Sequence, residues 1–190
     1  MSLKGGQTMR IERVKDEQCL LMVRDFKPMN AEFILATNHV KNKPIKALWT
    51  STMEENLEDV GWLSYSYSMN RSKDKNSIFK IKPKNDVRVL VIENANEYMN
   101  EVPLIEDHTK AYKNKIGYVI NYEEISKYCD GVHFTEAAAA LGHFSFNRRI
   151  PWWVSDSLNS IDCESTVWFN SNWIDDYTYI CEFDDVFKEG

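Results

Sequence analysis

Short segments with the composition of β-strands, rather than long helical repeats, make up most of this chain. About eight of them are apolar, β-branched or alternating over strand length. They lie at residues 10–14, 19–26, 46–49, 78–81, 87–92, 131–134, 165–169 and 178–183, with a shorter run at 118–120. Because no long helices separate them, a doubly wound parallel sheet is disfavoured. The pattern predicts an α+β fold with short helices and a mixed or mostly antiparallel sheet.

The length and composition suit one folded domain. Of the 190 residues, 43% are hydrophobic and 13% are aromatic, which is enough to build a substantial core. No interior segment has the composition of a linker. We expect a single domain over residues 9–188, with residues 1–8 and 189–190 as cloning remnants or disordered ends.

The segment at residues 87–92 is the strongest strand pattern in the chain. We expect it to be central in the sheet, apolar on both faces, with Val89 and Val91 buried. A turn-like sequence at residues 83–86 separates it from the alternating segment 78–81, and this order predicts a β-hairpin.

The sequence also predicts the secondary structure of four other segments. Residues 54–61 are predicted to be a helix, and residues 62–68 a strand because aromatic and small polar side chains alternate there. The polar residues 103–114 and the aromatic segment 150–153 are predicted to be irregular.

The charge and cysteine content narrow the class of protein. The net charge of -6 does not indicate a nucleic-acid-binding protein, although the basic stretch at 71–88 can attract a phosphate-bearing ligand or form a solvated hairpin. The four cysteines form no Cys-x-x-Cys pair, and the histidines lack metal-binding spacing, so no metal site is expected. No signal peptide or membrane span is recognisable, and a cytoplasmic protein is expected.

Three consecutive hydroxyl side chains end a predicted strand: Thr50, Ser51 and Thr52 follow Leu48 and Trp49. Thr52-Met53-Glu54-Glu55 has the spacing of a helix-capping box. Hydroxyls at a strand end can hold the ribose or amide of a nucleotide. The plain structural alternative is that Thr52 caps a helix while Ser51 points to solvent.

An acidic residue and an N-terminal cation complete a candidate site. Glu164 stands at the start of the predicted strand 165–169, where a carboxylate can stabilise a developing oxocarbenium ion or remain an ordinary acidic edge residue. The candidate cation or imidazole is Arg13, Arg24 or His39, any of which can instead be a surface group.

The order of these pieces resembles the three-part signature of the ADP-ribosyltransferase superfamily. In that family a first-strand Arg or His binds NAD, a hydroxyl-containing motif on a second strand shapes the nicotinamide pocket, and a later Glu supports transfer. The matching positions are Arg24 or His39, then 49–52, then Glu164. Asp162 stands where many members carry a second Glu. Residues 48–52, 128–133 and 162–166 also resemble blocks in uncharacterised phage and mobile-element proteins.

This resemblance implies transfer of ADP-ribose from NAD to a macromolecule whose identity the sequence does not give. Under this hypothesis Glu164 is catalytic, and Arg24, His39, Trp49, Thr50, Ser51 and Thr52 bind NAD. The alternative is a non-catalytic phage or mobile-element domain that binds another protein through exposed tryptophans, with Trp152, Trp153 and Trp173 as anchors.

Overall fold

The fold was obtained from a computed structural model, which describes residues 9–23, 25–38, 42–69, 76–112, 115–143 and 150–187. Twelve strands and six α-helices are found in these ranges. The strands are β1 (Ile11–Arg13), β2 (Gln18–Val23), β3 (Ile34–Asn38), β4 (Lys43–Lys46), β5 (Leu48–Thr52), β6 (Asn76–Pro83), β7 (Arg88–Ile92), β8 (Leu104–Tyr112), β9 (Lys115–Ile120), β10 (Gly131–Phe134), β11 (Ser165–Trp168) and β12 (Ile174–Glu182).

The helices are short, as the sequence predicts. They are α1 (Gly61–Ser68), α2 (Ala95–Glu101), α3 (Tyr122–Ile125), α4 (Glu136–His143), α5 (Trp152–Leu158) and α6 (Phe183–Val186), together with two 3-10 helices at Pro28–Asn30 and Leu57–Asp59.

One eight-stranded sheet forms the centre of the protein, with the strand order β1-β7-β10-β11-β5-β2-β6-β12. Its strand pairs are antiparallel except for the parallel pair of β7 and β10. Two separate hairpins, β3–β4 and β8–β9, complete the strands of the described ranges. The predicted fold class, a single α+β domain with a mixed main sheet and short helices, is therefore confirmed.

Side chains from β7 are buried on both faces of the sheet. Leu90 and Ile92 pack in a cluster with the helices α2–α5, while Val89 and Val91 pack with Trp168 on the opposite face. Val89 is 3% exposed and Val91 is 7% exposed, so their predicted burial is confirmed. However, β7 is second from one edge of the sheet, and its expected central position is wrong.

The predicted hairpin of residues 78–81 and 87–92 is also wrong. The strand β6 pairs with β2 and β12, whereas β7 pairs with β1 and β10. Both segments are strands, but the turn between them spans residues 84–87, because Pro83 still belongs to β6. The chain nevertheless crosses to a different part of the sheet, because β7 gains buried contacts on both faces there.

The predicted order of helix 54–61 followed by strand 62–68 is wrong. Thr52 belongs to β5, a 3-10 helix spans Leu57–Asp59, and residues 61–68 form α1. Leu63 and Ser66 are buried, and their spacing of three residues places them on one side of a helix. Packing of this side onto β2 and β5 overrides the alternating pattern of Tyr and Ser.

Two segments predicted to be irregular are regular. Residues 104–112 form β8, which pairs with β9, and residues 152–158 form α5, which packs on α4. β8 pairs with the next strand in a hairpin and α5 packs on the preceding helix, and the composition of each segment alone does not reveal these partners. Within the described residues, no helix is long and apolar enough to cross a membrane.

Candidate functional site

A row of polar side chains crosses one face of the central sheet. Gln18 on β2 lies opposite Thr52 on β5, and Thr50, Thr166 and His133 lie opposite one another on β5, β11 and β10. Directly paired residues point to the same face, and alternate residues of one strand do so as well. The sheet therefore gathers on one face polar groups that are far apart in sequence.

The Glu164 carboxylate precedes β11, contacts Thr52 of β5 and His133 of β10, and is held by Thr52. The Thr52 amide donates to Oε2 at 3.1 Å and to Oε1 at 3.3 Å, and the Thr52 hydroxyl donates to Oε1 at 3.0 Å. The Glu164 side chain is 14% exposed. Charge-assisted bonds from a strand end fix this carboxylate in position while leaving part of it accessible.

His133 is the third member of the group. Its Nδ1 lies 2.9 Å from Thr166 Oγ1 and 3.4 Å from Glu164 Oε1, and its side chain is 21% exposed. Because a carboxylate only accepts hydrogen bonds, a proton on Nδ1 suits this arrangement. The Nε2 atom then carries a lone pair, and the described residues offer it no hydrogen-bond partner.

The two titratable groups are shifted in opposite directions. Burial raises the pKa of Glu164, and the bonds from Thr52 and Ser51 counteract this effect. Burial lowers the pKa of His133, partly offset by the charges of Glu12 and Asp16. A neutral imidazole therefore lies beside a carboxyl group whose charged form is costly, and such pairs are typical of acid–base sites.

A cavity of about 620 Å³ opens above the polar row. Such a volume is common for small-molecule sites. Residues of the sheet face form its floor, and β1 with the following loop forms one wall; the lining residues are Arg10, Glu12, Arg13, Val14, Lys15, Asp16, Gln18, Thr52, Val89, Val91, His133, Thr135 and Thr166.

The cationic side chains on the wall of this cavity differ in whether they already form ion pairs within the protein. Arg10 is held by ion pairs to Glu12 and Glu93, each at 2.6 Å. Arg13 and Lys15 are exposed and form no ion pair with a residue of the described ranges. These two side chains can contact an anionic part of a ligand.

Glu164 itself lines a smaller depression of about 330 Å³ and is not among the residues that line the large cavity. The lining of this depression also includes Gly61, Tyr65 and Glu136. A Cβ atom at Gly61 would lie 3.0 Å from the Glu164 carbonyl oxygen and 3.3 Å from Ser51 Oγ. Glycine thus permits the start of α1 to approach the loop that carries Glu164.

The three predicted hydroxyls have different surroundings. Thr50 is fully buried, where it donates to Gln18 Oε1 at 2.7 Å and accepts from the Trp168 indole at 2.8 Å. Ser51 is also fully buried and joins the Glu164 carbonyl to the Trp62 amide. Only Thr52 both contacts the Glu164 carboxylate and lines the large cavity.

These contacts contradict the plain structural alternative for the hydroxyls. Ser51 does not face solvent, and Thr52 caps no helix, because its amide and hydroxyl both bind Glu164. Asn56 instead caps the 3-10 helix that follows.

The remaining predicted residues are not brought together with Glu164 in the described ranges. Trp49 lines a different pocket, together with Trp62 and Lys43. Arg24 and His39 lie outside the residues that the structure describes. Arg13, the N-terminal candidate that falls within the described residues, lines the large cavity.

Sequence reasoning did not find His133 or Thr166 as site residues. The strand pattern at residues 131–134 predicted the backbone correctly, but not the strand that lies beside it. The pairing of β10 with β11 sets His133 opposite Thr166, and such a long-range register leaves no local signal.

The tryptophans proposed as protein-binding anchors are not all available. Trp173 is 1% exposed and stacks on Trp168 with a centroid distance of 3.7 Å, so its expected exposure is wrong. Trp153 packs against Tyr118 and Tyr98. The described residues therefore do not present these rings as one exposed surface.

Among the described residues, no group of three or more His, Cys, Asp and Glu side chains is placed to hold a metal ion. No model of a known protein family matches the chain, and no curated protein or solved structure matches it significantly.

Proposed function

We propose that this protein transfers ADP-ribose from NAD to a macromolecule, with Glu164 as the catalytic carboxylate. The observation that carries the proposal is the placement of Glu164. A partly accessible carboxylate is fixed by Thr52 and adjacent to a neutral imidazole, and Thr52 and His133 both line a cavity large enough for a small molecule.

The chemical requirement is a negative charge near the reacting ribose carbon. When the bond between C1′ and the nicotinamide nitrogen breaks, the nitrogen keeps the electron pair and positive charge develops on the ribose. The Glu164 carboxylate stabilises that charge, and Thr52 keeps the carboxylate in place. The low exposure of Glu164 strengthens the effect because little water screens it.

The acceptor then forms the new bond to C1′ and loses a proton. His133 is suited to receive that proton at Nε2, because burial keeps the imidazole neutral and Nδ1 is occupied by Thr166 and Glu164. Arg13 and Lys15 on the cavity wall are suited to contact the diphosphate. All four cysteines are free thiols, which agrees with a reducing compartment such as the cytoplasm.

The test is nicotinamide release from NAD by wild-type protein and by Glu164→Gln. The substitution keeps the shape and removes the charge, so turnover should fall at least about 10²-fold. Thermal unfolding in the presence of NAD measures binding separately. The matched control is Glu55→Gln, which removes an equal charge from an exposed position and should leave turnover unchanged.

Two outcomes contradict the proposal. Turnover at the wild-type rate in Glu164→Gln removes this residue from the mechanism. If the wild-type protein neither binds nor turns over NAD at millimolar concentration, the whole proposal is removed and a non-catalytic, protein-binding role is favoured.

A further inference from the structure

A second pocket, of about 510 Å³, lies next to β5 and is separate from the cavity beside His133. It is formed by β2, β4, β5, α1 and the segment after the first 3-10 helix. Most of its lining is apolar or aromatic; the residues are Leu21, Met22, Phe26, Ala31, Glu32, Lys43, Lys46, Ala47, Leu48, Trp49, Trp62, Ser66 and Asn76. None of these residues lines the large cavity.

Two indole rings surround a lysine at this pocket. Lys43 Nζ lies 5.0 Å from the centre of the Trp49 ring and 5.9 Å from the centre of the Trp62 ring. These distances are within the range of cation–π contacts. Both rings belong to elements fixed by the sheet, since Trp49 is on β5 and the Trp62 amide donates to Ser51 on the same strand.

The charges that line the pocket are balanced. Lys43 is 3.5 Å from Asp162, and Lys46 is 2.5 Å from Glu32. Because each cation has a carboxylate partner, the pocket favours an uncharged group over a free anion. The apolar lining with flanking aromatic rings suits a flat, neutral ring that can stack.

The nitrogen atom of the Trp62 indole indicates which chemical group a ligand of this pocket carries. This N–H group is buried and has no hydrogen-bond partner among the described residues. Leaving such a donor unsatisfied is costly, and an acceptor atom on a ligand would remove the cost. Ser66 and Asn76 add a hydroxyl and an amide to the same lining.

We infer that this pocket binds a nucleobase. Purines and pyrimidines are flat and uncharged, they stack on indoles, and they carry ring nitrogens or carbonyl oxygens that accept from an N–H group. A hydrocarbon ring would leave the Trp62 donor unsatisfied. A sugar would require polar partners around its whole edge, which the apolar residues of the pocket do not supply.

Binding of the four nucleosides adenosine, guanosine, cytidine and thymidine is measured by quenching of tryptophan fluorescence and by calorimetry. At least one should bind saturably to the wild-type protein. Trp49→Ala should weaken that binding about 5- to 150-fold, since stacking of a base on an aromatic ring is worth about 1–3 kcal/mol. Trp62→Phe keeps a ring but removes the donor, and should weaken binding about 3- to 10-fold.

The matched control is Trp153→Phe, which changes an indole outside the pocket and should leave nucleoside affinity unchanged. Single-stranded oligodeoxynucleotides that carry the base with the highest affinity distinguish a nucleic acid from a free nucleoside as the ligand. Tighter binding than the free nucleoside identifies a nucleic acid as the ligand, and equal affinity identifies a free nucleoside.

Absence of binding by all nucleosides and oligonucleotides at millimolar concentration overturns the inference. Unchanged nucleoside affinity in Trp49→Ala also overturns it. The inference does not depend on the proposed function: Glu164→Gln should bind nucleosides like the wild-type protein, whether or not NAD is turned over.

Discussion

At the scale of single residues, His133 and Glu164 are two largely buried titratable side chains that lie 3.4 Å apart. Each group is buried enough that its charged form is disfavoured, so the pKa of the acid is raised and the pKa of the base is lowered. Thr52 and Thr166 supply hydrogen bonds that hold the two side chains beside each other. Such a pair is useful for moving a proton, but it also links stability to pH.

The first prediction concerns the pH dependence of stability. Between the lowered pKa of the folded protein and the usual His pKa of 6.5, the unfolded chain binds a proton at His133 that the folded protein does not bind. Stability contributed by neutral His133 is therefore present above 6.5 and is lost as the pH falls toward the lowered folded pKa. Glu164 acts in the opposite sense above its usual pKa of 4.5, because there the folded state holds the proton more tightly.

The measurement is urea unfolding between about pH 7 and pH 5.5. His133→Gln should lose less stability than the wild-type protein as the pH falls. His108→Gln, which alters an exposed imidazole outside the site, is the control variant. If the free energy of unfolding changes with pH equally in His133→Gln and in the wild-type protein, His133 titrates in the same way in the folded and unfolded states, and the prediction is contradicted.

At the scale of elements, Asn42 shows how one buried side chain can attach the β3–β4 pair to the rest of the protein. Asn42 precedes β4 with a φ angle of 49°, in the left-handed region that Asn tolerates better than most residues. Its amide group donates to Ser157 O at 2.6 Å and accepts from the Ile120 amide at 2.7 Å. The hairpin is thereby attached to β9 and α5.

The second prediction tests this attachment. Asn42→Gly keeps the backbone freedom but leaves the Ile120 amide without its partner, and should cost about 2–4 kcal/mol. Asn42→Ala loses the same bonds and also resists a positive φ, which should add about 1 kcal/mol. Urea unfolding measures both.

Asn56→Ala, which removes an exposed cap of a 3-10 helix, serves as the control and should cost about 1 kcal/mol or less. Equal, small effects at both positions would contradict a structural role for Asn42.

At the scale of the whole molecule, the sheet separates two apolar clusters. Alternate residues of β7 enter different clusters, so one strand is packed on both sides. Trp168 on β11 stacks on Trp173 in the second cluster and donates a hydrogen bond to Thr50 of the polar row. The site therefore lies on a face that is itself anchored to a rigid core.

The third prediction concerns this packing. Val89→Asp places an unpaired carboxylate in the second cluster and should lower the free energy of unfolding by about 3 kcal/mol or more. Val89→Thr keeps the shape and adds a hydroxyl, so it should cost only about 1–2 kcal/mol. A mild effect of the Asp substitution in urea unfolding would mean that the carboxylate reaches the water or the cations of the large cavity, which Val89 also lines.

The sequence alone determined the class of fold and the positions of most strands. Runs such as residues 87–92 and 131–134 are strands because their apolar and β-branched side chains suit a sheet buried on two faces. It also predicted that the polar groups at Thr52 and Glu164 stand at strand ends. Whether they act on NAD stays a prediction.

Only the tertiary structure decided how the strands pair and which polar residues meet. The register of β5, β10 and β11 brings His133, Thr52 and Glu164 together from positions more than 30 residues apart. It also buries Thr50 and Ser51, and it places Trp49 beside Trp62 in another pocket. The physical reason is that register is set by the burial of whole faces, to which distant residues contribute together, and not by the local propensity of any one segment.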